Sequence, residues 1–414
     1  MENEFGYIDD KPFEDCDEEE QTLSIISTDK QGIQFKIYGF EKYSVFNDEK
    51  APNVLYGVNQ KLEPITAFRV RIMNSKLSAI SSSVVKSDFY FYGSSDEKIH
   101  HFTEKSLIYE LDYYNDSIYK VFGNKSMTIL YGKETTSIAI DRKIKEEKIG
   151  EVDIENNHID VILKYEFNQF FDNNSSNKAG IIPDNCIALV FKNGLDYQEA
   201  YKYVLLLDSV FYMMTLLERR HKKLVVHLAE DRNYLWRDRK IEDPDKIVKT
   251  NSFLLSYIKD RHSTFLKIFE TLYDLEKKTK NVLFPFWEFD RAESSVEISF
   301  LEYYRAMEYL IGKGDRKFLL NVLRKYPELK KRFFCDQDIV EIEEEVRSLR
   351  NYYSHEGYFI DKLPIPTYTP KRYRDVTVKW LFDVYHFMVI ASYLEIYQLF
   401  DIYPKWYDLL NIVI

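Results

Sequence analysis

Asp336-Gln337-Asp338-Ile339-Val340-Glu341-Ile342-Glu343-Glu344-Glu345-Val346-Arg347-Ser348-Leu349-Arg350-Asn351-Tyr352-Tyr353-Ser354-His355-Glu356 is the stretch that decides the C-terminal fold. Ile339, Ile342, Val346, Leu349 and Tyr353 recur at gaps of three, four, three and four, the spacing of one helical face. A helix over 336–356 follows. At about 100° per residue, Arg350 stands on the flank of that seam. Asn351 and His355, four apart, share a face directed away from it. One side of the helix therefore packs into its own domain, and the other becomes a site only against a second surface. A symmetric partner would supply that surface, so the motif favours a homodimer with two copies at a shared cleft.

The segment 296–312 carries the second clue. Phe300, Leu301, Tyr304, Met307, Leu310 and Ile311 form an apolar stripe, with Glu308 inside it and Glu302 opposite. A carboxylate on a buried stripe is costly unless paired. Arg350 is the expected partner, through a bidentate bond; the alternative is Glu308 at the stripe's edge in solvent.

From about 250 onward every periodic segment reads as helix: 251–280, 296–312, 316–332, 336–356 and 374–400. Breaks fall at Pro285, Gly312/Gly314, near Pro327 and in the Pro364–Pro370 loop. Residues 20–200 read as strands instead, as in Phe35–Tyr38, Phe68–Ile72, Phe89–Tyr92, Ser106–Leu111 and Ile138–Ile140. Ile159–Phe167 continues the pattern after a charged connection at 142–157. Cys186–Phe191 ends on Asn193-Gly194, a turn signal. A helix over 197–218 and a strand Lys223–His227 precede the charged stretch Asp231–Lys249, which looks like a boundary.

The expected fold class is therefore a multidomain α+β protein. Residues 1–20 form an acidic flexible tail, 21–245 an antiparallel β-rich domain that is sandwich- or barrel-like, and 250–414 an all-α helical domain.

The chain has 414 residues, with 45% hydrophobic and 30% charged, so it can bury a core. A net charge of −11 argues against coating nucleic acid by bulk charge, but not against a local basic cleft. Cys16, Cys186 and Cys335 lie far apart and suggest neither disulfide nor zinc, which fits a cytoplasmic protein. The N-terminus has no secretory pattern, and Val204–Leu217, cut by Asp208, is too short to span a membrane. His100-His101 lacks supporting ligand spacing, so no metal and no cofactor are expected. His158, His221 and His262 read as surface residues, and His386 as packing.

Arg350-Asn351-Tyr352-Tyr353-Ser354-His355, with Phe300–Glu308 as the preceding helix, resembles the HEPN superfamily and most closely the ApeA-type anti-phage proteins. The resemblance covers about 250–414 and matches the family's Arg-(four to six residues)-His motif with Asn after the Arg. Arg220 to His227 also fits that spacing, but it runs into a strand and lacks the Asn.

The resemblance implies an all-α HEPN domain and a metal-independent endoribonuclease in abortive-infection defence. The 2′-OH attacks the adjacent phosphorus and leaves a 2′,3′-cyclic phosphate. It implies His355 as general base or acid, Arg350 on the scissile phosphate, Asn351 orienting the phosphate or His355, and Glu308 holding Arg350. The expected RNA contacts are Lys313, Arg316, Lys317, Tyr352, Arg372 and Arg374, with Arg324-Lys325 and Lys330-Lys331-Arg332 as further basic runs. The preferred RNA is a tRNA loop, by the family's habit. The β-rich domain would sense a phage-derived trigger or restrain the nuclease.

Two other readings stay open. One is a non-catalytic HEPN dimerisation scaffold with a ligand- or peptide-binding β domain. The other is a β-domain binding protein whose helices serve assembly only.

Overall fold

The computed structural model describes residues 2–13, 22–29, 32–38, 53–76, 82–87, 89–94, 99–131, 136–141, 143, 145–155, 157–172, 178–216, 221–229, 232–238, 253–279, 296–312, 318–356 and 378–413. The chain divides into two units, one of residues 1–208 and 219–249 and one of 209–218 and 250–414. Among the described residues no helix is long and apolar enough to cross a membrane.

The first unit begins with β1 (Glu2–Asp9), β2 (Thr22–Asp29), β3 (Gly32–Tyr38), β4 (Val54–Asn59), β5 (Pro64–Phe68), β6 (Arg71–Lys76), β7 (Ser82–Ser87), β8 (Phe89–Gly93) and β9 (Ile108–Tyr114). A short helix α1 (Asp116–Phe122) follows, capped by the Asn115 side chain. Then come β10 (Met127–Tyr131), β11 (Thr136–Ile140), β12 (Glu146–Ile154), β13 (Asn157–Lys164), β14 (Phe167–Asp172), β15 (Lys178–Pro183), β16 (Cys186–Leu195), α2 (Tyr197–Thr215), β17 (Lys223–Leu228) and β18 (Asn233–Asp238).

Fourteen of these strands form one antiparallel sheet in the order β12-β13-β16-β9-β17-β18-β8-β5-β4-β1-β2-β3-β7-β6. The pairs β10-β11 and β14-β15 stand apart. The class is thus α+β, with most of the described strands in one continuous antiparallel sheet.

Part of that sheet curls. Ile8, Ile26, Phe35, Ile37, Leu55, Ile65 and Val85, from six strands, share one buried cluster with Tyr90 of β8. Three strand steps, about 14 Å if flat, separate β3 from β4. Yet the Phe35 ring comes within 3.4 Å of where a Cβ on Gly57 would sit, so the absent side chain gives that ring its place. The other half of the sheet is covered by α2, whose Tyr203 and Tyr201 rings meet Phe191 and Trp236.

Several expectations are corrected. The supposed acidic tail contains β1, paired with both β2 and β4. Its charges masked an alternation that sends Ile8 into the core. Residues 14–20 lie outside the described residues. The charged connection at 142–157 holds β12, an edge strand whose Val152 and Ile154 face inward while its charges face solvent. Asn193-Gly194 makes no turn; β16 runs through it, and a Cβ at Gly194 would lie 2.7 Å from Leu107 Cβ. Phe68–Ile72 is broken between β5 and β6 by Arg69 at φ 54°. The boundary stretch includes β18, and 239–250 lies outside the described residues.

The second unit is helical. After a 3₁₀ turn (Phe253–Tyr257) come α3 (Arg261–Thr279), α4 (Val296–Met307), a π-turn (Glu308–Gly312), α5 (Phe318–Lys325), α6 (Pro327–Phe334), α7 (Ile339–Glu356), α8 (Val378–Leu399) and α9 (Trp406–Val413). The helix expected over 316–332 is two, because Pro327 cannot donate to the preceding turn and starts α6 at its first position. Residues 209–218 of the α2 region belong here: Phe211 meets Phe265 of α3, and Tyr397 of α8 donates to the Met213 carbonyl at 2.9 Å.

His221, read as a surface residue, is fully buried. Its backbone N–H donates to Asp208 Oδ1 at 2.9 Å, and Tyr113 Oη donates to the same oxygen at 2.7 Å. The His221 ring Nδ1 lies 3.2 Å from Asp208 Oδ2. One carboxylate thus ties α2 to β9 and to the segment entering β17. Asp208→Leu is expected to lower stability by about 3–5 kcal/mol, read as a fall in the urea midpoint at constant slope. A loss below about 1 kcal/mol would mean that this carboxylate is not the tie.

Candidate functional site

Asp338 caps α7, its Oδ1 accepting from Val340 N at 2.8 Å and Glu341 N at 3.4 Å. The apolar seam is then buried, with Ile342, Val346, Leu349 and Tyr353 all inside. Tyr353 meets Phe300 of α4, which sets α7 against that helix. Burial of the seam fixes the rotation of α7, and so decides where its polar residues point.

Arg350 is half-buried on the flank. Its Nη1 donates to Asn351 Oδ1 at 3.1 Å. Its guanidinium carbon lies 5.8 Å from the Tyr304 ring centre, a cation–π contact. Nη2 lies 4.0 Å from Glu308 Oε2.

Sequence reasoning expected a buried, bidentate pair between Glu308 and Arg350. The pair forms, but as a single ion contact at the limit of range, and the Glu308 side chain is 41% exposed. The reason is local. Glu308 opens the π-turn Glu308–Gly312, whose wider winding shifts the following residues from the α4 face pattern. A π-turn inside a helical segment is costly and is found often at functional sites.

Tyr304 belongs to the apolar stripe of α4. It is buried, and burial, aided by the Glu308 carboxylate and opposed by Arg350, pushes its hydroxyl up to about 12. The phenol therefore stays protonated at neutral pH and remains a donor. Ser354, one turn after Arg350, has a buried Oγ with no hydrogen-bond partner among the described residues. Glu343 is buried on α7 with Arg347 Nη1 at 3.5 Å from its carboxylate, which the seam pattern did not reveal. The signal that could have found Glu343 was its position next to Ile342 with Arg347 four residues on.

The backbone of His355 belongs to α7, one turn beyond Asn351. The side chains of His355 and Tyr352 lie outside the described residues, as do Lys313, Arg316, Lys317, Arg372 and Arg374 entirely. Of the other basic runs, Lys325 is already paired with Glu395 at 2.6 Å and Gln398 at 2.9 Å. Lys330 donates to the Cys335 carbonyl at 3.0 Å. His386 packs against Phe333, Phe382 and Tyr385.

In the first unit, Glu110, Asp112 and His227 converge. Lys164 occupies their midst, pairing with Glu110 and, at 2.8 Å, with Asp112. His227 Nε2 lies 2.8 Å from Asp112 Oδ2, so this histidine of the second Arg-to-His spacing serves a charge network. Burial opposes its protonation, but the bond to Asp112 and the nearby carboxylates prevail and raise its pKa.

No family model, no curated protein and no solved structure matches the chain.

Two outcomes are expected. Glu308→Gln should cost less than about 1 kcal/mol in stability, because its ion pair is exposed and long; a larger loss in a thermal melt would make it structural. For His227, a raised folded pKa means stabilisation that is complete below about pH 6.5 and is lost as pH climbs through the folded value. Melting temperatures followed from about pH 5.5 to about pH 9 should show this fall in the wild type and not in His227→Gln. Superimposable profiles would remove the pair from the stability of the first unit.

Proposed function

We propose that the chain is a metal-independent endoribonuclease of the HEPN, ApeA-like type. It acts in anti-phage defence on tRNA or another structured RNA, and the β-rich unit regulates it. One observation carries the reading. Arg350 is oriented by Asn351, Glu308 and Tyr304 on a helix that brings residue 355 one turn beyond Asn351.

The chemistry follows from the residue types. A guanidinium whose fork is partly fixed grips a phosphate more tightly as negative charge grows in the pentavalent transition state. An imidazole, a group able to exchange protons near neutral pH, accepts the 2′-OH proton as the 2′-oxygen bonds to phosphorus. The P–O5′ bond breaks, and an acid returns a proton to the leaving 5′-oxygen. Two protomers at a shared cleft bring two imidazoles, one to take the proton and one to give it. Products are a 2′,3′-cyclic phosphate and a 5′-OH.

The reaction so written uses no residue of the first unit. Its sheet offers surface for a trigger and for control of the helical unit.

Purified chain incubated with total tRNA in EDTA should cut it and leave cyclic phosphate ends. Arg350→Ala and His355→Ala should each lower cleavage by at least about a hundredfold while melting like the wild type. Cleavage that stops on chelation sinks the metal-free reading, and undiminished cutting by His355→Ala moves the site elsewhere. Intact RNA with wild-type chain would favour the scaffold reading instead.

A further inference from the structure

We infer that the open face of β1, β2, β3 and β7 is a stacking platform for an unpaired RNA strand. On this part of the sheet one face is core, formed by Ile8, Ile26, Phe35, Ile37 and Val85. Among the described residues, the opposite face keeps three large apolar side chains exposed. Phe5 is 56% exposed, Tyr7 50% and Leu23 47%, although strand residues of these types are normally buried.

Register places the exposed residues together. Phe5 pairs with Ile25, and Ile25 with Lys36, so these share one face. Tyr7 pairs with Leu23 in the neighbouring row, on the side of Tyr38. Phe5 and Tyr7 are two residues apart on one strand, about 6.8 Å. That is too wide for two bases stacked on each other, so each ring offers its face to a separate, splayed base.

Charge decides between occupants. Lys36 is exposed, its ammonium 5.1 Å from the Tyr38 ring. In the next row Lys86 pairs with Arg71 on the same face. Among the described residues, the rows through Phe5, Tyr7 and Lys86 contain no carboxylate, in a chain of net charge −11; Asp9, next on that face after Tyr7, is buried and accepts from the backbone N–H groups of Asp10 and Lys11. Glu4 of β1 alternates to the other face, with Asn59 donating to it at 2.8 Å. A second copy of the chain meeting this face by symmetry would set cation against cation. A phosphodiester strand meets both features at once: bases on the rings, phosphates on Lys36 and Arg71. The binding does not require cleavage, so it stands or falls apart from the proposed nuclease site.

The test uses the full chain carrying His355→Ala, so that RNA stays whole, and a labelled unstructured RNA of about 10 nucleotides read by anisotropy. Phe5→Ala/Tyr7→Ala should raise Kd at least about tenfold, and Phe5→Tyr/Tyr7→Phe should restore it. Lys36→Gln should lower the slope of log K against log salt by about 0.7. Lys36→Glu, at an exposed position, repeats the test should the alanine pair melt early. Affinity and salt slope unchanged in folded variants overturn the proposal. Self-association lost in sedimentation with RNA binding intact would assign the face to a second copy, and overturns it equally.

Discussion

Burial of Ile342, Val346, Leu349 and Tyr353 is the constraint on which the candidate site depends. A helix with one apolar seam has a single rotation that hides it. Once α7 takes that rotation, Arg350 must lie on the flank beside Tyr304, and Asn351 must face out. The Asp338 cap sets where the helix starts, which sets the height of Arg350 along it. Weak contacts then suffice to aim the guanidinium: one amide bond, one long ion contact and one ring.

The acidic chain places its carboxylates in two contrasting ways. Asp208, nearly enclosed, is met by a phenol, a backbone N–H and an imidazole. Asp112, also enclosed, is met by Lys164 and His227. Such groups are tolerated because each oxygen that loses water gains a hydrogen-bond partner. Glu308 is different: it stays wet at the mouth of a π-turn and holds Arg350 loosely. A loosely held guanidinium can still exchange its partner for a phosphate, which a fully enclosed bidentate pair would resist.

The first unit shows how a long sheet is kept from needless pairing. Its β12 edge carries alternating charge. Beyond about ten strands an open sheet curls or splits, and here the strands around β1 curl over their own core. On the outer face of β1 and β2, away from that core, Phe5, Tyr7 and Leu23 stand exposed.

Much of this was legible in the residues alone. The period of α7, the stripe of α4 and the change from alternating to helical pattern near residue 200 are local properties of the chain. So is the presence of Arg350, Asn351 and His355 at one-turn spacing. The strand β1 was hidden because its charges outnumber its one core residue, and β12 because an edge strand needs little apolar surface. Asn193-Gly194 looked like a turn because sequence cannot show that Leu107 crowds the glycine. The partners of Asp208, the π-turn under Glu308 and the burial of His221 were decided only in three dimensions. Periodicity tells a residue which side of its own element it occupies, whereas these depend on which distant element arrives on that side, and no local pattern carries that distance.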